Sequence, residues 1–360
     1  MPSRMSEAIE PPARVLVTGA NGFIAAHVIQ QLLRAEYHVL GTVRSMAKAN
    51  LVLKAHGNHP SLSVSVVEDI TDAQAYIDAI ESSASTDRSI SAILHLAAPF
   101  SYSLTNFENE LLLPAVKGTE AILDIARHFQ DRGLRLVVHT NSFACIYNAS
   151  AGPCPEKTYT SADWSPLTYE DGAKAPNAPR AYRAAKTVAE KKAWAYMKTH
   201  AADLRFGLVS LCPAMVFGPF VDGMWPSSPA ALNESNKIVW DVVRQGESGI
   251  VPPTKAAVWV DVRDVARAHV LALSSEAAVG QRLLLGQVYC NQEIADEARE
   301  VCTKYRSRIP MGEPGRRDAA RHFRVDASQD ANILGLMWTP LRDCLKDLLP
   351  QLYRIEGHVE

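Results

Sequence analysis

The chain has 360 residues and a mass of 39.4 kDa, too long for one minimal domain at ~150 residues each and long enough to bury a substantial core. With 47% hydrophobic, 7% aromatic and 21% charged residues it has a globular composition, which excludes a disordered, collagenous or disulfide-scaffold protein. Lys plus Arg number 37 against 39 Asp plus Glu with no single-sign block, so neither nucleic acid nor anionic lipid is an expected partner.

Residues 1–14 carry charges and prolines where a signal peptide needs an apolar stretch. Nowhere do ~18 apolar residues run together, so no membrane span is expected and a cytoplasmic location is. Arg14 to Thr18 form a short apolar run that ends in Gly-Ala-Asn-Gly, after which Phe23, Ile24, Val28, Ile29, Leu32 and Leu33 recur at helical spacing. Strand-like segments follow at 37–44, 62–67, 91–96 and 135–140, with helical patterns between them such as Val116 to Phe129. Strands alternating with helices predict right-handed crossovers, hence an α/β fold with a doubly wound parallel sheet covered on both faces.

After residue 148 a Pro-, Gly- and Asp-rich loop is too long for a simple connection, and predicts either a lid or substrate-facing segment or a surface insertion. A helical pattern then runs over 181–199, with a further strand at 204–211. A Rossmann-like domain over 12–217 is expected, with 256–276 returning to it as a strand plus helix. Residues 218–255 and 277–360 would then form a smaller, discontinuous substrate domain.

Gly19, Gly22 and Ala25 give G-x-x-G-x-x-A directly after a strand and at the opening of a helix. Glycine permits the tight turn and the close approach of a pyrophosphate to free helix N–H groups, while the third position needs only to be small. A ligand-free βα turn is the alternative. At the end of the second strand, where an NAD site places Asp or Glu for the ribose hydroxyls, the chain has Gly-Thr-Val-Arg44-Ser-Met-Ala-Lys48. Two cations and no acid suit a 2'-phosphate and favour NADP(H), unless they are merely a solvated loop.

Tyr182 and Lys186 form Tyr-x-x-x-Lys on a predicted helix, with both side chains on one face; of eleven tyrosines only this one has Lys four places on. An ammonium beside a phenol of pKa ~10 favours the phenolate and makes the pair usable for proton transfer near neutrality. Ser142, just past the fifth strand, would face the ligand crevice and could hold a substrate carbonyl oxygen. His95 and His139 are expected to satisfy local hydrogen bonds, and no Gly-x-Ser-x-Gly elbow makes Ser142 a hydrolase nucleophile. Cys145, Cys154, Cys212, Cys290, Cys302 and Cys344 show no Cys-x-x-Cys spacing, so reduced thiols and no metal are expected. Trp225, Trp259 and Met224 are candidates for an apolar pocket, with core packing the better reading of Trp259.

Thr18-Gly19-Ala-Asn21-Gly22-Phe23-Ile24-Ala25, Asp69-Ile70, His95-Leu-Ala97-Ala98-Pro99, Ser142, Tyr182-x-x-x-Lys186 and Pro213-Ala-Met-Val-Phe-Gly218-Pro219 occur in that order. In this the chain resembles the extended short-chain dehydrogenase/reductases over residues 13–349. It is most similar to the fungal NADPH-dependent aldehyde and ketone reductases and the plant dihydroflavonol reductases, to which Gly41-Thr-Val-Arg44-Ser and Val260-Asp-Val-Arg263-Asp264-Val-Ala are also similar. The resemblance implies Tyr182 as the acid, Lys186 as the group that lowers its pKa and holds the nicotinamide ribose, and Ser142 as the group that positions the carbonyl. It further implies that NADPH meets Gly19, Asn21, Gly22, Phe23 and Ile24 of the glycine turn and the helix after it, Arg44 and Lys48 at its 2'-phosphate, and Asp69 and Ile70 at its adenine. Ala97 and Ala98 would border it, and Pro213 would meet its nicotinamide end.

The chain departs from the family's pattern at Asn141, where many relatives have a serine, and at Phe143, where a small residue is common. The loop from Ser142 to Tyr182 is also longer than in the plant reductases. By position, Phe100, Phe143, Met215 and Trp225 would face a small-molecule substrate, which points to an apolar or aromatic aldehyde or ketone. A monomer or homodimer is expected. The alternatives are a hydroxysteroid dehydrogenase or nucleotide-sugar epimerase, which share Tyr-x-x-x-Lys, and a non-catalytic NADP(H) sensor.

Overall fold

A computed structural model describes residues 8–83, 89–98, 104–255, 257–317 and 322–357. The first half alternates strictly: β1 (Arg14–Thr18), α1 (Phe23–Arg34), β2 (His38–Val43), α2 (Met46–Ala55), β3 (Leu62–Val66), α3 (Ala73–Ser82), β4 (Ile90–His95), α4 (Leu113–Phe129) and β5 (Leu136–Thr140). Then come β6 (Thr158–Tyr159), α5 (Tyr169–Ala173), α6 (Ala178–Thr199), β7 (Gly207–Pro213), β8 (Met215–Phe217), α7 (Glu234–Val243), β9 (Val258–Asp261) and α8 (Val262–Leu271). The chain ends with β10 (Arg282–Leu285), β11 (Gln287–Val288), α9 (Asn291–Val301), β12 (Arg324–Val325), α10 (Ser328–Leu334) and α11 (Leu341–Gly357).

Seven parallel strands form the central sheet in the order β10-β7-β5-β4-β1-β2-β3. The residues of β1, β5 and β7 are buried on both faces, as a sheet covered by crossover helices requires, while the edge strand β3 is mostly half-buried. Val15 and Val17 pack with α1 and α8, and the intervening Leu16 packs with α3 and α4. The chain winds outward from β1 to β3 and then crosses back to β4, so the order reverses between β1 and β4. A crevice opens at such a reversal beyond the strands' carboxyl ends, which is where open α/β sheets take their ligands.

Two sequence expectations need correction here. Residues 277–360 were expected to lie wholly in the smaller part, yet Arg282–Leu285 pair with Ser210–Pro213 as the seventh strand of the main sheet. Four consecutive residues, three of them leucine, suffice for a strand covered on both sides, and so short a run carries no periodicity to announce it. Residues 256–276 return only in part: α8 packs on α1, but β9 joins β8 and β11 in a separate sheet of three strands. A second core lies beside that sheet, where Trp240, Tyr289, Leu345, Leu348, Leu352 and Tyr353 from α7, α11 and the loop before α9 are buried together. Trp259 belongs to this core, stacked on Phe217 at 5.6 Å.

α6 begins at Ala178, three residues earlier than its apolar pattern suggests. Asn177 caps it by accepting a hydrogen bond from the Arg180 N–H at 3.0 Å, and Pro179 sits in the first turn, where its missing N–H costs nothing.

Candidate active site

Gly19 has φ +66, and a side chain there would place its Cβ 3.0 Å from the Ala97 backbone across the crevice. Only glycine fits both demands. Gly22 caps α1, its N–H donates to the Gly19 carbonyl at 2.8 Å, and a Cβ would lie 3.1 Å from that carbonyl oxygen. No side chain caps this helix and its first turn holds no acid, so the first N–H groups are left for an anion. The Thr18 hydroxyl ties the two sides together: it accepts from the N–H groups of Leu96 and Ala97 at 3.1 and 3.0 Å and pairs with His95 Nδ1 at 2.9 Å. Sequence reasoning missed this role of Thr18, whose only signal was its place as the last residue of the strand.

Arg44 follows β2 and Lys48 lies in the first turn of α2; both are exposed, and Asn21 is half-buried in the turn. Asp69 is held below the usual carboxylate range, first by the Thr71 N–H at 2.8 Å and the Thr71 hydroxyl, with the Arg44 charge adding to them. Ile70 is buried against Gly118 of α4, where a Cβ would come within 3.2 Å of it. The predicted adenine-side residues therefore gather near the ends of β2 and β3.

A cavity of about 430 Å³ occupies the crevice, and its wall includes Gly19, Gly22, Phe23, Ile24, Ala98, Ser142, Tyr182, Lys186 and Pro213 of the predicted residues. Ser142 begins a short 3-10 turn in extended backbone, with its Oγ accepting from the Ala144 N–H at 3.1 Å. Tyr182 and Lys186 come from one stripe of α6, and the Lys186 ammonium donates to the Thr140 carbonyl at 3.2 Å. Burial pushes the Lys186 pKa down, against the opposing pull of Cys145, Cys212 and Glu190.

Phe143 and Met215 also line the cavity, whereas Trp225 does not: it packs beside the second core under the Arg354 guanidinium at 5.3 Å. Phe100 lies outside the described residues. Tyr147 and Phe323 were not foreseen, although both are in the wall. Phe143 stacks on Tyr147 at 5.0 Å and packs against Phe323 at 5.7 Å. The spacing Phe143-x-x-x-Tyr147 after Ser142 was a usable signal for the first pair. For Phe323, brought in from 180 residues away, there was none.

The long loop is neither lid nor loose insertion. None of its residues from 148 to 178 lines the cavity; Tyr159 instead backs the wall, edge-on to Phe323 at 5.2 Å. Arg282 holds this loop in place. Its guanidinium donates to the carbonyls of Ser161 (2.7 Å) and Asp163, stacks on Trp164 at 3.7 Å and donates to the Cys145 carbonyl at 3.0 Å. Its Nε pairs at 2.9 Å with Glu190, a fully buried carboxylate one helical turn beyond Lys186 that also accepts from Ser210 at 2.6 Å and Cys145 at 2.9 Å. Cys145, Glu190 and Cys212 bring ligand-type atoms within 4.8 Å of one another, and Arg282 is the cation seated on them. All six cysteines are free thiols, and no helix among the described residues is long and apolar enough to cross a membrane. His95 and His139 stack at 5.6 Å beneath the site; burial holds His95 at about 3 and His139 well below its ordinary value.

Comparison with known proteins identifies the family. NADPH-dependent methylglyoxal reductase GRE2 of Saccharomyces cerevisiae is 31% identical over 96% of this chain and 99% of its own length. Ketoreductase azaE of Aspergillus niger is 31% identical over 94% and 97%. The crystal structure of yeast Gre2 complexed with NADPH superposes with a TM-score of 0.86 at 30% identity, covering 96% of this chain and 99% of that one. The pattern of the NAD dependent epimerase/dehydratase family matches residues 15–286, and the chain belongs to that family.

Proposed function

We propose that the protein is an NADPH-dependent reductase of aldehydes and ketones. The observation that carries this reading is the convergence of Ser142, Tyr182 and Lys186 on the cavity that also contains the Gly19–Gly22 turn. The cradle fits a dinucleotide: a side chain at position 19 would fill it, α1 offers uncapped N–H groups, and Arg44 and Lys48 stand where an NAD site needs an acid. Gly19, Asn21, Gly22, Phe23 and Ile24 would hold the phosphates, and Arg44 and Lys48 the 2'-phosphate. Asp69 and Ile70 would meet the adenine, Ala97, Ala98 and Pro213 the rest, and Lys186 with Tyr182 the nicotinamide ribose. Bound NADPH would supply a hydride to the carbonyl carbon.

The chain's own groups handle the oxygen. Ser142 donates a hydrogen bond to the carbonyl oxygen and fixes its direction. Tyr182 donates its phenolic proton to that oxygen as negative charge develops there. Lys186, anchored on the Thr140 carbonyl, stabilises the phenolate left on Tyr182. Reversal to alcohol oxidation uses the same groups. Phe143, Tyr147, Met215 and Phe323 give the substrate end a wall suited to an apolar or aromatic carbonyl compound.

NADPH and NADH consumption by the purified protein against a panel of aldehydes, activated ketones and a flavanone-type ketone tests the reading, with Tyr182→Phe alongside. NADPH-dependent turnover is expected to fall by about 10²–10⁴ in Tyr182→Phe, with NADPH binding retained. Tight NADPH binding without turnover of any panel member would favour a sensor instead.

A further inference from the structure

Arg183 and Asn141 face the same cavity and have no work in the scheme above. Arg183 follows Tyr182 on the stripe Pro179, Tyr182, Arg183 and Lys186, the spacing that keeps one side of α6 on the wall. Its Nε is buried without a hydrogen-bond partner, and its guanidinium forms no ion pair among the described residues. Arg282, Arg263, Arg180 and Arg299, by contrast, are paired with Glu190, Asp261, Asp171 and Glu247. Asn141 is 3% exposed, and both its amide oxygen and its amide nitrogen lack a partner among the described residues. Buried Asn236, by contrast, exchanges two hydrogen bonds with the Gly218 backbone.

An unpartnered buried polar group carries an uncompensated desolvation cost, so a ligand that supplies the missing partners binds with that advantage. Arg183 can only donate, and its planar fork suits a carboxylate. Glu234 also borders the cavity, but it is exposed and makes no ion pair with Arg183 among the described residues. We propose that Arg183, with Asn141 beside Ser142, forms an anion-recognising arm of the substrate cavity, so that the preferred substrate is an aromatic carbonyl compound bearing a carboxylate. The stacked rings of Phe143 and Tyr147, with Phe323 tilted against them, take the flat apolar body, and the arm takes the charge. The inference rests on reading this cavity as the substrate site of a carbonyl reductase.

The test compares meta- and para-carboxybenzaldehyde with their methyl esters as NADPH-dependent substrates of the wild type, Arg183→Met and Arg183→Lys. Calorimetric binding of the corresponding carboxybenzyl alcohols and their esters to the NADP⁺-loaded proteins is measured in parallel. The wild type is expected to favour at least one acid over its ester by about tenfold in kcat/KM and in affinity, equivalent to about 1.4 kcal/mol. Arg183→Met is expected to bring that ratio near one, and Arg183→Lys to retain part of it. A wild-type ratio near one for both acids, or a ratio that survives in Arg183→Met, overturns the inference. If the esters are reduced without any preference for the acids, this inference fails and the reductase reading stands. If neither acids nor esters are reduced, the reductase reading fails for this class, and the binding ratio alone decides the role of Arg183.

Discussion

The two walls of the cavity are built on different principles. The wall proposed for the cofactor is backbone: one turn from Thr18 to Gly22, a glycine at φ +66 pressed against Ala97, and a helix whose first N–H groups are uncapped. The wall proposed for the substrate is side chains: Phe143 and Tyr147 from the turn after β5, Met215 from β8, and Phe323 next to β12. A backbone wall recognises what every dinucleotide shares and tolerates little change. A side-chain wall selects among substrates, and it depends on whatever holds its separate segments together.

Arg282 is that tie, and removing it gives the largest expected difference between the walls. In Arg282→Met the fully buried Glu190 loses its counter-charge, and stability is expected to fall by about 3–5 kcal/mol in denaturant or thermal unfolding. The double variant Arg282→Met/Glu190→Gln should recover much of this, because it leaves no unpaired charge. On the other wall, Gly19→Val demands a left-handed backbone from a β-branched residue and a clash with Ala97. NADPH affinity is expected to drop by at least about tenfold, with the aromatic wall untouched. Arg44→Ala acts on one end of the cofactor alone, and the preference for NADPH over NADH should narrow by about tenfold in kcat/KM, worth about 1.4 kcal/mol. An unchanged preference would mean that Arg44 is only a solvated loop residue.

A further effect is set by pH. Burial lowers His95, hydrogen-bonded to Thr18, to about 3, and His269, hydrogen-bonded to Thr140, to about 4. Both lie well below the unfolded value of ~6.5. Below that value the unfolded chain binds protons that the folded chain refuses, so stability is complete above pH ~6.5 and declines toward pH 4. Each group contributes a slope of about 1.4 kcal/mol per pH unit. Replacing His269 with Gln should reduce the measured slope by one group's share, and an unchanged slope would show that His269 is protonated in the fold.

What could be read from the sequence follows the same division. The β1-turn-α1 unit was legible because all its determinants are local: a strand, two glycines, a small residue and a helical repeat within the twenty positions from Arg14 to Leu33. Tyr182 and Lys186 were legible for the same reason, sharing one turn of α6. Trp225 was misplaced because an aromatic residue near a Gly-Pro turn reads alike whether it faces a cavity or, as here, packs beside a second core under Arg354. Phe323, Arg282 and the strand β10 were missed because their partners are distant in the chain; Arg282 meets Glu190 across 92 positions. The long loop was rightly read as too long for a connection, but its service as a strap behind the aromatic wall depends on Arg282 and could not be inferred from its own residues.

The most direct test of the central claim follows deuterium from NADPH labelled at both C4 positions into the alcohol formed from a substrate that the protein reduces. The account predicts one deuterium on the former carbonyl carbon in every product molecule, with the label lost along with turnover in Tyr182→Phe. NADPH consumption that leaves the product carbon unlabelled would contradict direct transfer in this cavity.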